Sequence, residues 1–358
     1  MKNIALIIII ILILLPGSVN GEIISTFPDL LKPTGLVIDD NNLYVTEDIT
    51  VYIFSMKDFK LVKKFGKKGE GPQEFNGFVA ITPLKDKLLL NSMSKISYFT
   101  KDGEYIREIK TKGGFAFLYQ PLGNKYVGRG ISAKDNTRYV SINLYDKDLN
   151  KVKTLLSQED DNQFAKGTLK ILNSSLSYMT FNDKLYLVNG SDFEIKVYDS
   201  SAKQIMTIKR EYKRSKFTEE DKQAIFDVIK NDPRQKQYFD IVKKMAVFPK
   251  EWPAIASVFE RDNIIYVSTF KSKDKTKYEF LLFDVNGKFI HSMYIPLKFQ
   301  TALKPYPMSI KNGKLYQLIE NEDDEEWELH RSFIHNTNLT KFSEITENVK
   351  TSSKLKHK

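Results

Sequence analysis

Cysteine is absent from the 358 residues, which excludes disulfides, thiolate metal sites, a cysteine nucleophile and lipid anchoring through Cys. Histidine is almost as scarce. His291, His330, His335 and His357 all lie in the last quarter of the chain, so a multi-histidine metal cage or a Ser/His hydrolase is poorly supplied. Gly at 17 and Pro at 12 fall below average usage, and no long low-complexity linker is expected. No P-loop, GxSxG elbow or HExxH occurs, removing the commonest phosphate, hydrolase and zinc-protease signatures. Apolar runs long enough to span a membrane are missing too: the longest, Ile4 to Leu15, has 12 residues, roughly 18 Å as a helix against about 30 Å of hydrocarbon.

Lys2 precedes that run, and Pro16-Gly17 then Val19-Asn20-Gly21 follow it. The pattern reads as a secretory signal peptide over residues 1–21, with a retained signal anchor as the alternative. The mature chain from Glu22 is then exported, periplasmic or extracellular, with no transmembrane span. Lacking disulfides, it must hold together by core burial, for which 41% apolar and 12% aromatic residues suffice. The net charge is +10; setting aside Lys2 and the basic tail, with its five Lys against Glu344 and Glu347, leaves +6 for the body. Such a surface suits acidic glycans or an anionic envelope, although Lys-rich solubility is the plainer reading. Export disfavours nucleic acid as a partner.

Self-similarity organises the rest. An apolar pair ending in an aromatic, followed by a polar turn, recurs at Ile53-Phe54, Tyr98-Phe99, Leu144-Tyr145, Val197-Tyr198, Leu282-Phe283 and, more weakly, Ser332-Phe333. The intervals between aromatics are 45, 46, 53, 85 and 50 residues. The long one contains Phe217 to Phe248, whose 32 residues have a helical pattern; setting them aside leaves 53. A second phrase precedes the first in every copy: Leu43-Tyr44-Val45, Leu88-Leu89-Leu90, Tyr126-Val127, Leu185-Tyr186-Leu187, Ile265-Tyr266-Val267 and Leu315-Tyr316, each after a turn rich in Asp, Asn or Gly. Four short strands per unit, repeated six times, predict an all-β, six-bladed β-propeller over residues 22–340, with a helical insertion (217–248) between blades four and five. The basic tail 341–358 is predicted to be disordered. Either Glu22 to Phe27 or Leu339 to Ile345 could supply the last outer strand.

Between the first two units runs Gly66-Lys67-Lys68-Gly69-Glu70-Gly71-Pro72-Gln73-Glu74-Phe75. This segment resembles the connector of bacterial exported six-bladed β-propeller proteins, relatives of NHL-repeat and TolB-like propellers. Glycines there permit the tight backbone before Phe75 plugs the gap between blades. Gln73 stands where that family often has Gly. The resemblance implies an architecture and little about chemistry.

In a four-stranded blade, the turns between second and third strands share a face with the blade-to-blade connectors. That face holds the helical insertion, the basic turn Lys271 to Lys277 and the acidic turn Glu320 to Glu326. Thr218 and the following carboxylates fit a helix start, and Pro233 divides the insertion in two. It is read either as a lid or docking surface, or as a plug. Trp252 follows it near the channel mouth, where an indole can stack on a sugar or an apolar group, or simply join the core. Tyr306 and Asn76 sit at comparable positions of other blades. Arg129, between Gly128 and Gly130, could meet a ligand closely.

The leading expectation is an exported binding module for a protein, peptide or carbohydrate, with Trp252, Arg129, Tyr306 and Asn76 as contacts and no obligatory cofactor. The second is a propeller enzyme similar to gluconolactonase-type hydrolases, holding a divalent cation such as calcium through Glu74, Asn173 and Glu251. The third is a structural envelope component. The acidic turn is oxygen-rich but lacks the spacing of a dedicated calcium loop, so a solvated hairpin is its plainer reading.

Overall fold

The computed structural model describes residues 21–334, except 94, 112–114, 164–165 and 173–175. The signal-peptide segment, Asn173, the competing strand Leu339 to Ile345 and the tail lie outside the described residues.

Six four-stranded antiparallel sheets follow one another along the chain. Every copy of the aromatic phrase falls at the end of a third strand, for example Thr50–Ser55, Lys95–Thr100 and Glu194–Tyr198. Every copy of the other phrase falls in a second strand, such as Asn42–Glu47 and Lys184–Asn189. These middle strands are apolar on both sides because each sheet is covered by a neighbour on both faces. Leu43, Tyr44 and Val45 are all fully buried. The outer strands, Leu61–Phe65 or Lys151–Glu159, carry Lys and are half-exposed, which blunts their free edges.

Between successive sheets lies one apolar core. Tyr44 and Ile53 of the first sheet meet Leu88, Leu90 and Phe99 of the second, with Phe75 from the connector fully buried among them. Equivalent cores join the second sheet to the third, the third to the fourth, the fourth to the fifth and the fifth to the sixth. A further core links the sixth back to the first through Tyr316, Leu318, Trp327, Leu36 and Phe54. Sheets and cores thus alternate in a closed circuit, an arrangement consistent with a β-propeller.

The circuit closes with Glu22–Phe27, which pairs antiparallel with Glu326–Phe333 as the outer strand of the sixth sheet. Phe27 packs on Phe54 at 4.6 Å between ring centroids. At the other end of the strand, Glu22 pairs with Arg331 at 2.6 Å. Phe333 departs from its counterparts. It is exposed, and the next residue, Ile334, is buried in its place.

Two helices stand between the fourth and fifth sheets. Helix α1 spans Glu219–Asn231; Thr218 caps it, its Oγ1 accepting from the Asp221 N–H at 3.2 Å while the Asp221 carboxylate accepts from the Thr218 N–H at 2.8 Å. This reciprocal pair satisfies two amides that the first turn leaves open. Pro233 follows the helix end, and α2 spans Phe239–Met245. No helix among the described residues is long and apolar enough to cross a membrane.

Candidate interaction face

Antiparallel order puts all connectors between sheets, and all turns between second and third strands, at one end of the circuit. The turns joining first to second and third to fourth strands occupy the other end. The two ends, connector face and turn face, differ in chemistry.

On the turn face, the Asp and Asn of the tight turns are spent on the neighbouring sheet. Asp39 accepts from Lys101 Nζ of the second sheet at 2.8 Å and from the Tyr44 hydroxyl at 2.9 Å. Asp183 accepts the Gly123 N–H at 3.1 Å across the third and fourth sheets, and Asp262 accepts the Asn312 N–H at 2.7 Å across the fifth and sixth. Lys311 reaches Asp40 at 2.8 Å across the junction of last and first sheets. Burial opposes ionisation of Asp39, but Lys101, the Asn42 and Asn41 amides and Tyr44 outweigh it and hold the carboxyl below the usual range,. Glu260, on the inner strand Ser257–Arg261, has no such set of partners. Burial pushes its carboxyl up to about 7, against one donated amide from Asn263 and the positive charge of Arg261.

The connector face is built from side chains that fix loops. The segment after the first sheet is anchored by Lys95, which is 0% exposed. Its Nζ donates to the Gly71 carbonyl at 2.6 Å, the Glu70 carbonyl at 3.3 Å and the Glu108 carboxylate at 2.6 Å, so a buried ammonium has all three protons satisfied. Gly66, at φ 105°, lies where a Cβ would stand 2.2 Å from the Ile49 carbonyl oxygen. Gln73 adopts φ 63°, the left-handed region that glycine enters most readily.

At this end α1 and α2 form a roof, tied to the fifth sheet by Lys275, whose Nζ meets Glu220 at 2.6 Å. Phe217, Phe248 and Trp252 stack beneath α1, with Trp252 4.5 Å from the Phe270 ring of the fifth sheet and 4.8 Å from Phe217. The Trp252 Nε1–H donates to Asp221 at 3.3 Å. The stretch Ala246–Val247 pairs in parallel with Thr168–Lys170, tying the roof to the connector between the third and fourth sheets. Tyr212 donates to Glu279 at 2.6 Å, and burial with that acceptor raises the phenol.

The sequence candidates are spread through this frame. Glu74 accepts the Gly71 N–H at 2.8 Å and pairs with Lys67 at 3.0 Å, and these hold its carboxyl low. Asn76 donates to Glu70 in the same loop. Glu251 pairs with Arg214 at 2.6 Å near the roof, away from the loop that carries Glu74. Tyr306 lies in the last connector, its ring 5.9 Å from Trp327. Arg129 lies inside the third sheet and donates to the Leu176 carbonyl of the fourth at 3.2 Å; its flanking Gly128 gives room to the Tyr119 and Tyr145 rings. Among the described residues, no group of three His, Asp or Glu gathers to hold a metal.

Large exposed apolar side chains divide cleanly. Eight, including Leu61, Val62 and Phe289, lie on outer strands, and Phe333 ends a third strand. The other six, Leu31, Met93, Tyr238, Ile241, Val247 and Leu303, all lie on the connector face. Sequence reasoning did not single these out. Tyr238 ends the 3-10 turn Lys236–Tyr238 and Ile241 lies in α2, whose half-buried stripe is Phe239, Val242 and Met245, spaced by three, which turns Ile241 outward. Lys95 and Glu260 were also missed; a charged residue inside an apolar strand was the available signal.

No family model matches the chain, and no curated protein matches it. Among solved structures it is similar to a Bacteroides fragilis protein whose name describes it as exported, at 12% identity and a TM-score of 0.54, over 88% of this chain and 94% of that one. It is less similar to a member of the DUF4221 family from Bacteroides vulgatus, at 16% identity and a TM-score of 0.45 over 87% and 95%. The WD40 domain of Neurospora crassa Pan2 gives 8% and 0.40 over 86% and 80%. At such identities the likeness bears on the fold alone.

Proposed function

We propose that this chain is an exported six-bladed β-propeller, kin to the NHL-repeat and TolB-like propellers, that acts as an interaction module through its connector face. The observation that carries the reading is the partition of exposed apolar residues: those not on outer strands share that face, Phe333 excepted, while polar links join neighbouring sheets on the opposite face. Exposed apolar groups gathered on one face mark contact surfaces rather than solvated ones. Asn76 and Tyr306 stand on the face as contact candidates. Trp252 and Arg129 act beneath it, setting the roof and the third sheet.

The partner is an unidentified protein or peptide, a carbohydrate being the second class. The alternative hydrolase reading asks more of the molecule, since Glu74 and Glu251 would have to exchange Lys67 and Arg214 for one shared divalent cation. The test is site-specific photocrosslinking in the producing cell. Probes at Leu31, Met93 and Leu303 should give one discrete adduct, and probes at Lys57 and Asn286 on the turn face should give none. Equal labelling from both faces would dismiss the assignment.

A further inference from the structure

The two halves of the roof treat their charges differently. Around α1 they are paired: Lys275 meets Glu220 at 2.6 Å, Lys222 meets Glu219 at 3.1 Å and Arg214 meets Glu251. From Lys230 to Lys250 there are six cations, Lys230, Arg234, Lys236, Lys243, Lys244 and Lys250, against Asp232 and Asp240. Among the described residues none of the six meets a carboxylate in an ion pair, and Asp232 is engaged by the Arg234 N–H at 2.8 Å and Gln235 Nε2 at 2.7 Å. Between these cations stand Tyr238, Ile241 and Val247, exposed to 53%, 55% and 52%. The parallel pairing of Ala246–Val247 with Thr168–Lys170 sets Lys170 directly beside Val247.

From this juxtaposition we infer that the α2 end of the roof is a docking site for an anionic lipid surface. Lysine is depleted in the centres of protein interfaces because each ammonium must shed a strongly held water shell. At a bilayer surface the same ammonium stays hydrated among headgroups, while short apolar side chains and a tyrosine sink between them. Three exposed apolar side chains among cations that meet no carboxylate fit the second environment. The acidic turn Glu320 to Glu326, on the sixth sheet, is kept off such a surface by its own charge. The inference takes the connector face as the contacting face, as proposed above, but does not depend on what Leu31, Met93 and Leu303 bind.

Co-sedimentation of the purified chain with vesicles tests it, using phosphatidylcholine alone and phosphatidylcholine mixed equally with phosphatidylglycerol. Binding is expected only to the anionic vesicles and should weaken as salt is added. K243Q/K244Q should lower partitioning about thirtyfold, and I241S about threefold. A variant with the same charge change on the turn face, K57Q/K288Q, should stay within about twofold of the parent, screened by its distance from the surface. No binding, equal binding to both vesicles, or equal loss in K57Q/K288Q would overturn the inference. So would nil vesicle binding together with loss of a protein crosslink in K243Q/K244Q, which would assign the patch to a protein. Crosslinks at Leu31, Met93 and Leu303 are read separately, so failure here leaves the interaction module standing and the reverse also holds.

Discussion

The turn face and the connector face are made by the same six sheets, yet they use their polar groups in opposite ways. On the turn face polar side chains reach a neighbouring sheet, as Asp39, Asp183, Asp262 and Lys311 do, and, outer strands apart, Phe333 is the large apolar side chain exposed there among the described residues. On the connector face loops are long enough to be fixed from within, by Lys95 or by the Trp252 stack, and their outer sides are free. The contrast lies in what the polar groups hold: neighbouring sheets at one end, connector loops at the other.

The strongest test of that contrast is Lys95, a buried cation that fixes a connector loop. Lys95→Ala strands the largely buried Glu108 carboxylate and frees two connector carbonyls, so we expect a loss of about 3 kcal/mol in urea unfolding. A loss under 1 kcal/mol would show that the connector holds its place unaided. On the turn face, Asp39→Ala removes the acceptor of Lys101 and Tyr44 and should cost about 1.5 kcal/mol, with crosslinking from the connector face unchanged. Its contribution also has a sign in pH. With the folded carboxyl below the ordinary value of 3.8, the stabilisation is present above that value and lost as pH falls through the folded pKa.

Glu260 should behave in the opposite sense. Its folded pKa of about 7 exceeds the ordinary 4.5, so folding favours the protonated acid; stability is greatest below pH 4.5 and is lost as pH rises toward 7,. Glu260→Gln should flatten that slope and gain about 1 kcal/mol at pH 8, discounted for partial exposure. Thermal melts of both proteins at pH 5 and 8 separate the cases; parallel slopes would refute the assignment. Gln73→Gly, relieving a left-handed backbone, should stabilise by about 0.5 kcal/mol. Smallest of all, Leu31→Ser and Met93→Ser should leave unfolding within about 0.5 kcal/mol of the parent while removing the crosslinked partner.

Much of the architecture was legible because a strand covered on both faces has to be apolar at every position. Leu43-Tyr44-Val45 and its five copies declare that in one line, and the turn residues before them set the spacing. The helical stretch stood out because Ala224, Ile225, Val228 and Ile229 follow a different period. The site was far less legible. Whether Trp252 faces a ligand or Phe270 depends on how the roof leans, and no local pattern carries that. The same holds for Glu74 and Glu251, whose partners Lys67 and Arg214 come from packing of loops. An apolar residue such as Ile241, on a helix as short as α2, points either way until its partner surface is known.

The closing strand Glu22–Phe27 carries one more consequence. The Arg331–Glu22 pair bridges 309 positions of sequence, so strand Glu22–Phe27 waits for Glu326–Phe333 to be made before it is paired. A copy cut short anywhere before Glu326 would leave Glu22–Phe27 without its partner strand, prone to pair with strangers, and the face of the first sheet around Leu36 and Phe54 without Trp327 and Leu329,. Closure of the circuit thus depends on two strands that are made far apart in time.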